Sequence, residues 1–114
     1  MRSLLVGMLL FLAGQCLIWA QTNGQFIWPW FKRNPLILSV VGGTIISLIF
    51  IKATANIALY YDGALWPGRF IGFSMGISSF ALLTWYFMGE GINTKTMVSL
   101  GLAFALISVQ LLWK

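Results

Sequence analysis

The residues of this sequence that could carry out chemistry are few, and most lie within or beside long apolar segments. The chain has only two carboxylates, Asp62 and Glu90, one cysteine, Cys16, and no histidine. This set forms no catalytic triad, no paired carboxylates, no metal-ligand cluster and no phosphate-binding loop. We therefore expect no enzymatic activity, no bound metal and no cofactor, and a single cysteine excludes an intramolecular disulfide. The chemistry that remains is recognition.

Arg69 is the strongest candidate for recognition of a ligand. It follows Pro67 at the start of the third apolar segment, and the free amides and dipole of a helix N-terminus favour an anion. Arginine also binds phosphate and carboxylate groups in a bidentate geometry, so we predict an anionic group such as a phosphate headgroup, a sugar phosphate or a carboxylate. Two alternatives stay open: an interfacial arginine that contacts any phospholipid, and an arginine whose counter-ion is Asp62.

Other polar side chains are spaced one helical turn apart inside the apolar segments. Gln15 and Trp19 share a face of the first segment, and Lys52 and Asn56 form a similar pair in the second. A buried amide needs a partner, so Gln15 should face either another helix or a substrate chamber. Lys52 could instead extend outward to the interface. Two further candidates for the chamber wall, which could also bond their own backbone, are Ser74 and Ser78.

The candidate side chains belong to four long apolar segments. They cover about residues 4–20, 35–59, 67–88 and 96–113, and each is close to the roughly 20 residues that cross a bilayer. Charged residues make up 8% of the chain, whereas soluble domains carry about 25%. We therefore predict one integral membrane domain over residues 1–114, an all-α bundle of four transmembrane helices. Asn34 and Pro35 are predicted to cap and begin the second helix.

The first segment and the basic residues bear on topology. Arg2 and the apolar run after it are similar to a signal peptide, but residues 19–22 lack a small-x-small cleavage site, so we expect a retained helix. The net charge of +5 comes from scattered cations that contact lipid headgroups rather than nucleic acid. If both termini lie on one side of the membrane, the two sides carry nearly equal numbers of basic residues. This balance permits dual insertion or one orientation fixed by a partner. The two groups are Arg2, Lys52, Arg69 and Lys114 on one side and Lys32, Arg33 and Lys95 on the other.

Small residues predict where the helices pack. Gly68, Gly72 and Gly76 form a GxxxGxxxG ridge in the third segment, and Gly101 and Ala105 form a shorter pair in the fourth. Close backbone contact through such residues is a main source of helix association in lipid. The ridges serve either packing within one bundle or contact with a second copy of the chain.

Three runs of the sequence resemble the drug/metabolite transporter superfamily: ALYYDGALW at 58–66, LLTWYFMGEGI at 82–92 and VSLGLAFALI at 98–107. With four helices, the chain is similar to the small multidrug resistance branch and its lipid-linked-sugar flippase relatives. The resemblance implies a half-unit that pairs, often antiparallel, with the substrate chamber between the first three helices of each subunit. It also implies a multi-pass protein of the bacterial cytoplasmic (inner) membrane.

The sequence departs from this family at one functional position. Proton-coupled members carry a buried glutamate midway along the first helix, whereas residues 12–16 here read LAGQC and contain no carboxylate. The standard exchange of protons for cationic drugs therefore has no candidate residue. We expect a dimeric transporter or flippase of an amphipathic or anionic small molecule. The alternative is a non-transporting subunit that stabilises or assembles a larger membrane complex.

Overall fold

The structure, a computed structural model, describes residues 1–113, and it is all-helical over that range. Its four long helices are α1 (Arg2–Asn23), α2 (Pro35–Tyr60), α3 (Trp66–Met88) and α4 (Thr94–Leu112). All four are long and apolar enough to cross a membrane. The predictions of an all-α chain and of four membrane-length helices are therefore confirmed. Lys114 lies outside the described residues.

The connection between α1 and α2 differs from the sequence prediction in two places. The helix α1 continues to Asn23, and in its last turn the Thr22 hydroxyl donates to the Ile18 carbonyl at 2.8 Å. The helix α2 begins at Pro35 with Asn34 at the N-cap position, as predicted, but the Asn34 side chain makes no capping hydrogen bond to α2. The Asn34 amide donates back to the Trp30 carbonyl at 2.8 Å and so closes a short preceding helix, Pro29–Arg33.

The first part of α2 contains a π-helical segment, Leu38–Gly42, which the sequence pattern does not indicate. The amide of Gln21 on α1 donates to the Leu38 carbonyl at 2.8 Å. Gly42 leaves room for this contact, because a Cβ there would lie 3.2 Å from the Gln21 amide nitrogen. Irregular hydrogen bonding at membrane depth needs such partners, so Gln21 ties the widened turn to α1.

The helix α1 is central and lies between α2 and α3. Gly7 and Gly14 of α1 face Ile57 and Phe50 of α2, so these two helices run antiparallel. The helix α4 packs mainly on the outer side of α3. The bundle is therefore flat, with principal extents of 47 × 36 × 18 Å, and its thin dimension corresponds to about two helix layers.

The buried core lies at the end of the bundle that contains Met1 and Tyr61. Its buried members come from three helices: Leu4, Phe11, Ala53, Ile57 and Ile71. At the same end, the Tyr61 hydroxyl donates to the Gln110 carbonyl of α4 at 2.8 Å. Burial, and secondarily the neighbouring Tyr60, raises the pKa of Tyr61 above its ordinary value of 10.0. The upward shift favours the protonated phenol, which donates this bond and holds the end of α2 to α4.

Candidate functional site

A groove of about 520 Å³ lies between α1, α2 and α3. The helix α1 forms its floor, and α2 and α3 form its two walls. It is lined by Phe11, Gln15, Phe50, Thr54, Leu65, Gly68, Arg69, Gly72 and Phe73. This set combines one cation, one amide and one hydroxyl with four large apolar side chains. No acidic side chain is among the described residues that line it.

Arg69 is the fourth residue of α3 and stands at the mouth of the groove with an exposed side chain. A cation in the first turn of a helix interacts unfavourably with the helix dipole, so Arg69 does not stabilise α3 by its charge. An anion beside it would gain from both the guanidinium and the helix N-terminus. Among residues 1–113, no carboxylate oxygen lies within 4.0 Å of this guanidinium, so Asp62 is not its counter-ion here.

Gln15 lies deeper on the floor of the groove, between α1 and α3. Its amide nitrogen donates to the Gly72 carbonyl at 3.2 Å, which is the interhelical bond that the sequence left open as an alternative. Gly76 makes this position possible, because a Cβ there would lie 2.9 Å from the amide carbon and oxygen of Gln15. A glutamine amide has a second N–H and an acceptor oxygen, so Gln15 can bond Gly72 and still contact a ligand.

We predict that Gly76→Ala and Gln15→Leu weaken the same interaction. Each should lower the free energy of unfolding by about 0.5–1 kcal/mol, since the first pushes Gln15 off the Gly72 carbonyl and the second removes the donor. The double variant should cost little more than either single one, because both changes break one bond. Unfolding in mixed micelles measures this, with Gly91→Ala as the control, since no atom lies within 4 Å of a Cβ there. Fully additive losses would contradict the shared bond.

Two other predicted site residues form hydrogen bonds between helices. Trp19 is buried, and its indole N–H donates to the Thr84 hydroxyl of α3 at 2.9 Å. Ser74 is buried on the other side of α3, where its hydroxyl donates to the Ala103 carbonyl of α4 at 3.0 Å. Neither side chain lines the groove.

The remaining predicted site residues also lie elsewhere. The Asn56 amide donates to the Lys52 carbonyl at 2.9 Å, and the Lys52 side chain is exposed. Lys52 and the groove residue Thr54 are two positions apart on α2, which places them about 200° apart around the helix. Ser78 lines a different pocket, between α3 and α4. The structure therefore brings only Gln15 and Arg69 together among the seven predicted ligand contacts.

The aromatic residues of the groove and Thr54 were not among the predicted site residues. Their spacing in the sequence could have indicated them, because α1, α2 and α3 each supply one aromatic and one polar residue a single turn apart. The three pairs are Phe11 with Gln15, Phe50 with Thr54, and Phe73 with Arg69. Residues four apart share a helix face, so the pattern marks the groove-facing side of each helix.

The two glycine ridges have different surroundings. Gly68, Gly72 and Gly76 lie against Ile57, Phe11 and Gln15, so the ridge of α3 packs within the chain. By contrast, no atom lies within 4 Å of a Cβ built on Gly101, and Ala105 is exposed. Of the two ridges, only the Gly101 face is therefore still predicted to contact a second copy.

No protein-family model, no curated protein and no solved structure matches this chain. The groove itself has three features that bear on function. Its mouth offers positive charge, its floor offers an amide, and its walls are aromatic, which together suit a molecule with an anionic group and an apolar body.

Proposed function

We propose that this chain is a small membrane transporter or flippase that moves an anionic or amphipathic small molecule. The observation that carries the proposal is the groove between α1, α2 and α3, in which Arg69 and Gln15 stand over an aromatic wall. A charged arginine in a chain that spans a membrane four times is costly unless it contacts water, lipid phosphate or a ligand. The proposal keeps the likeness to the drug/metabolite transporter superfamily and a place in the bacterial inner membrane.

Residues at different depths of the groove contact different parts of the substrate. The Arg69 guanidinium offers two parallel N–H donors to a phosphate or carboxylate at the mouth. The rings of Phe11, Phe50 and Phe73 then contact the apolar body of the same molecule. Gln15 supplies a hydrogen bond at the floor, where an unpaired polar group of the substrate would otherwise be costly. A substrate of this kind enters with its charge toward the end of the bundle that contains Met1.

The groove is open between α2 and α3, and Thr54, Arg69 and Phe73 are exposed there. A second copy that covered this opening would enclose a chamber made by the first three helices of both subunits. The two sides of the membrane carry nearly equal numbers of basic residues, four against three, so neither orientation of the chain is strongly favoured. This balance suits an antiparallel pair. For alternating access, the two copies would then have to move so that the chamber opens in turn to each side of the membrane.

The test is transport by the purified chain in phosphatidylcholine vesicles. The probes are a short-chain fluorescent phosphatidic acid, its zwitterionic phosphatidylcholine counterpart and the cationic dye ethidium. We expect movement of the phosphatidic acid across the bilayer, measured as loss of fluorescence to an external quencher, and little movement of the other two. Proton-driven uptake of ethidium, or equal movement of all three, would contradict the proposal.

The second candidate function is a non-transporting subunit of a larger membrane complex. The helix α4 favours it, because this helix packs mainly on α3 and leaves the Gly101 face open. Size-exclusion chromatography with light scattering separates the two functions. A homodimer of the chain purified alone supports the transporter, whereas a monomer that dimerises at no concentration and co-purifies with unrelated chains supports the subunit.

A further inference from the structure

A second crevice lies between α3 and α4, next to the turn that joins them and at the opposite end from Arg69. It is a pocket of about 260 Å³. Ala81 of α3, Ile92 of the turn and Leu100 of α4 are among the residues that line it. The proposed transport groove involves none of these residues.

Two opposite charges line the end of this pocket that is next to the turn. Glu90 belongs to the turn after α3, and Lys95 is the second residue of α4. Within residues 1–113 these two side chains do not approach to within 4.0 Å of each other, so each is free to meet a ligand. Lys95 gains nothing from its own helix, because a cation in the first turn opposes the dipole. The pocket therefore offers one site for a cation and one for an anion.

The rest of the pocket is mostly apolar, and Ile77, Phe80 and Leu100 line it. From Met88, the last residue of α3, back to Ile77 the helix covers about 16 Å toward the middle of the span. The crevice thus changes from charged at the end of the bundle to apolar along the helices, which is the order of polarity in a membrane lipid.

We propose that this crevice binds a zwitterionic phospholipid with a primary ammonium, of the phosphatidylethanolamine class. The ammonium lies on the Glu90 carboxylate, the phosphate lies on the Lys95 ammonium, and an acyl chain follows Phe80 and Ile77. An anionic headgroup would meet repulsion from Glu90, and a quaternary ammonium lacks the N–H donors that a carboxylate binds best. A water-soluble zwitterion would leave the apolar part of the pocket unfilled.

The test uses the full chain in detergent, incubated with equal amounts of phosphatidylethanolamine, phosphatidylglycerol and phosphatidylcholine. Lipid that stays with the protein through gel filtration is identified by mass spectrometry. We expect phosphatidylethanolamine to be enriched roughly two- to fivefold, as befits partly exposed charge pairs. Glu90→Gln should remove that preference, Lys95→Gln should lower retention of phosphatidylethanolamine and phosphatidylglycerol, and Ala81→Leu, which fills the crevice, should lower all three.

The matched control is Lys32→Gln, which removes an exposed cation from the same end of the bundle, away from this crevice. It should leave the enrichment unchanged. Retention in which phosphatidylglycerol exceeds phosphatidylethanolamine would overturn the proposal and assign Lys95 to anionic lipid alone. A preference that survives Glu90→Gln would overturn it as well. Because Arg69 plays no part here, the result is independent of transport through the first groove.

Discussion

Replacing Arg69 with alanine is expected to abolish transport of the phosphatidic acid probe, with a loss of at least about tenfold in rate. The guanidinium is the one cation that lines the groove among the described residues, so nothing else there offsets the probe's negative charge. A charge-assisted hydrogen bond contributes roughly 1.5–3 kcal/mol, which corresponds to about one to two powers of ten in affinity. Initial rates in vesicles at a fixed protein content measure the effect.

Arg69→Lys separates charge from geometry. Lysine keeps the positive charge but cannot form the bidentate pair, so we expect an intermediate rate. Arg2→Ala is the matched control, because it removes an exposed arginine from the same end of the bundle and changes the charge balance equally. It should leave transport intact. An unchanged rate in Arg69→Ala would show that Arg69 only contacts the lipid interface.

The sequence was sufficient for the long helices because their signal is local. About 20 apolar residues between polar turns are long enough to cross a bilayer, and the structure differs from the predicted helix bounds by at most three residues. The π-helical segment of α2 was not predictable in this way. It depends on the amide of Gln21, which comes from another helix and meets Leu38 only after α1 and α2 have packed.

The candidate site was only partly predictable for a related reason. Gln15 and Arg69 were found because polar groups within apolar segments are rare and costly. The same argument also selected Trp19 and Ser74, whose polar atoms are satisfied by Thr84 and Ala103 on neighbouring helices. Residue type alone cannot distinguish a side chain that bonds another helix from one that lines a groove, because that depends on which face each helix turns inward.

Replacement of a glycine by leucine should affect stability strongly in α1 and hardly at all in α4. A Cβ on Gly7 would lie 2.6 Å from Ile57 Cδ1 and 3.2 Å from the Ala53 carbonyl oxygen. The backbone oxygen cannot move without shifting α2, and Ile57 is fully buried. Gly7→Leu should therefore separate α1 from α2 and lower the free energy of unfolding by about 2–3 kcal/mol. Unfolding in mixed micelles measures this loss.

Gly101→Leu adds the same side chain where no atom lies within 4 Å of the new Cβ. It should leave the unfolding free energy of the chain nearly unchanged. If the face of Gly101 and Ala105 contacts a second copy, the same variant should weaken dimers by roughly 1–2 kcal/mol per interface, and Ala105→Leu should do likewise. Cross-linking in detergent over a range of protein concentrations measures dimerisation. Identical dimer yields for wild type and both variants would place this face against lipid, and the second copy would then have to meet the chain at the open side of the groove between α2 and α3.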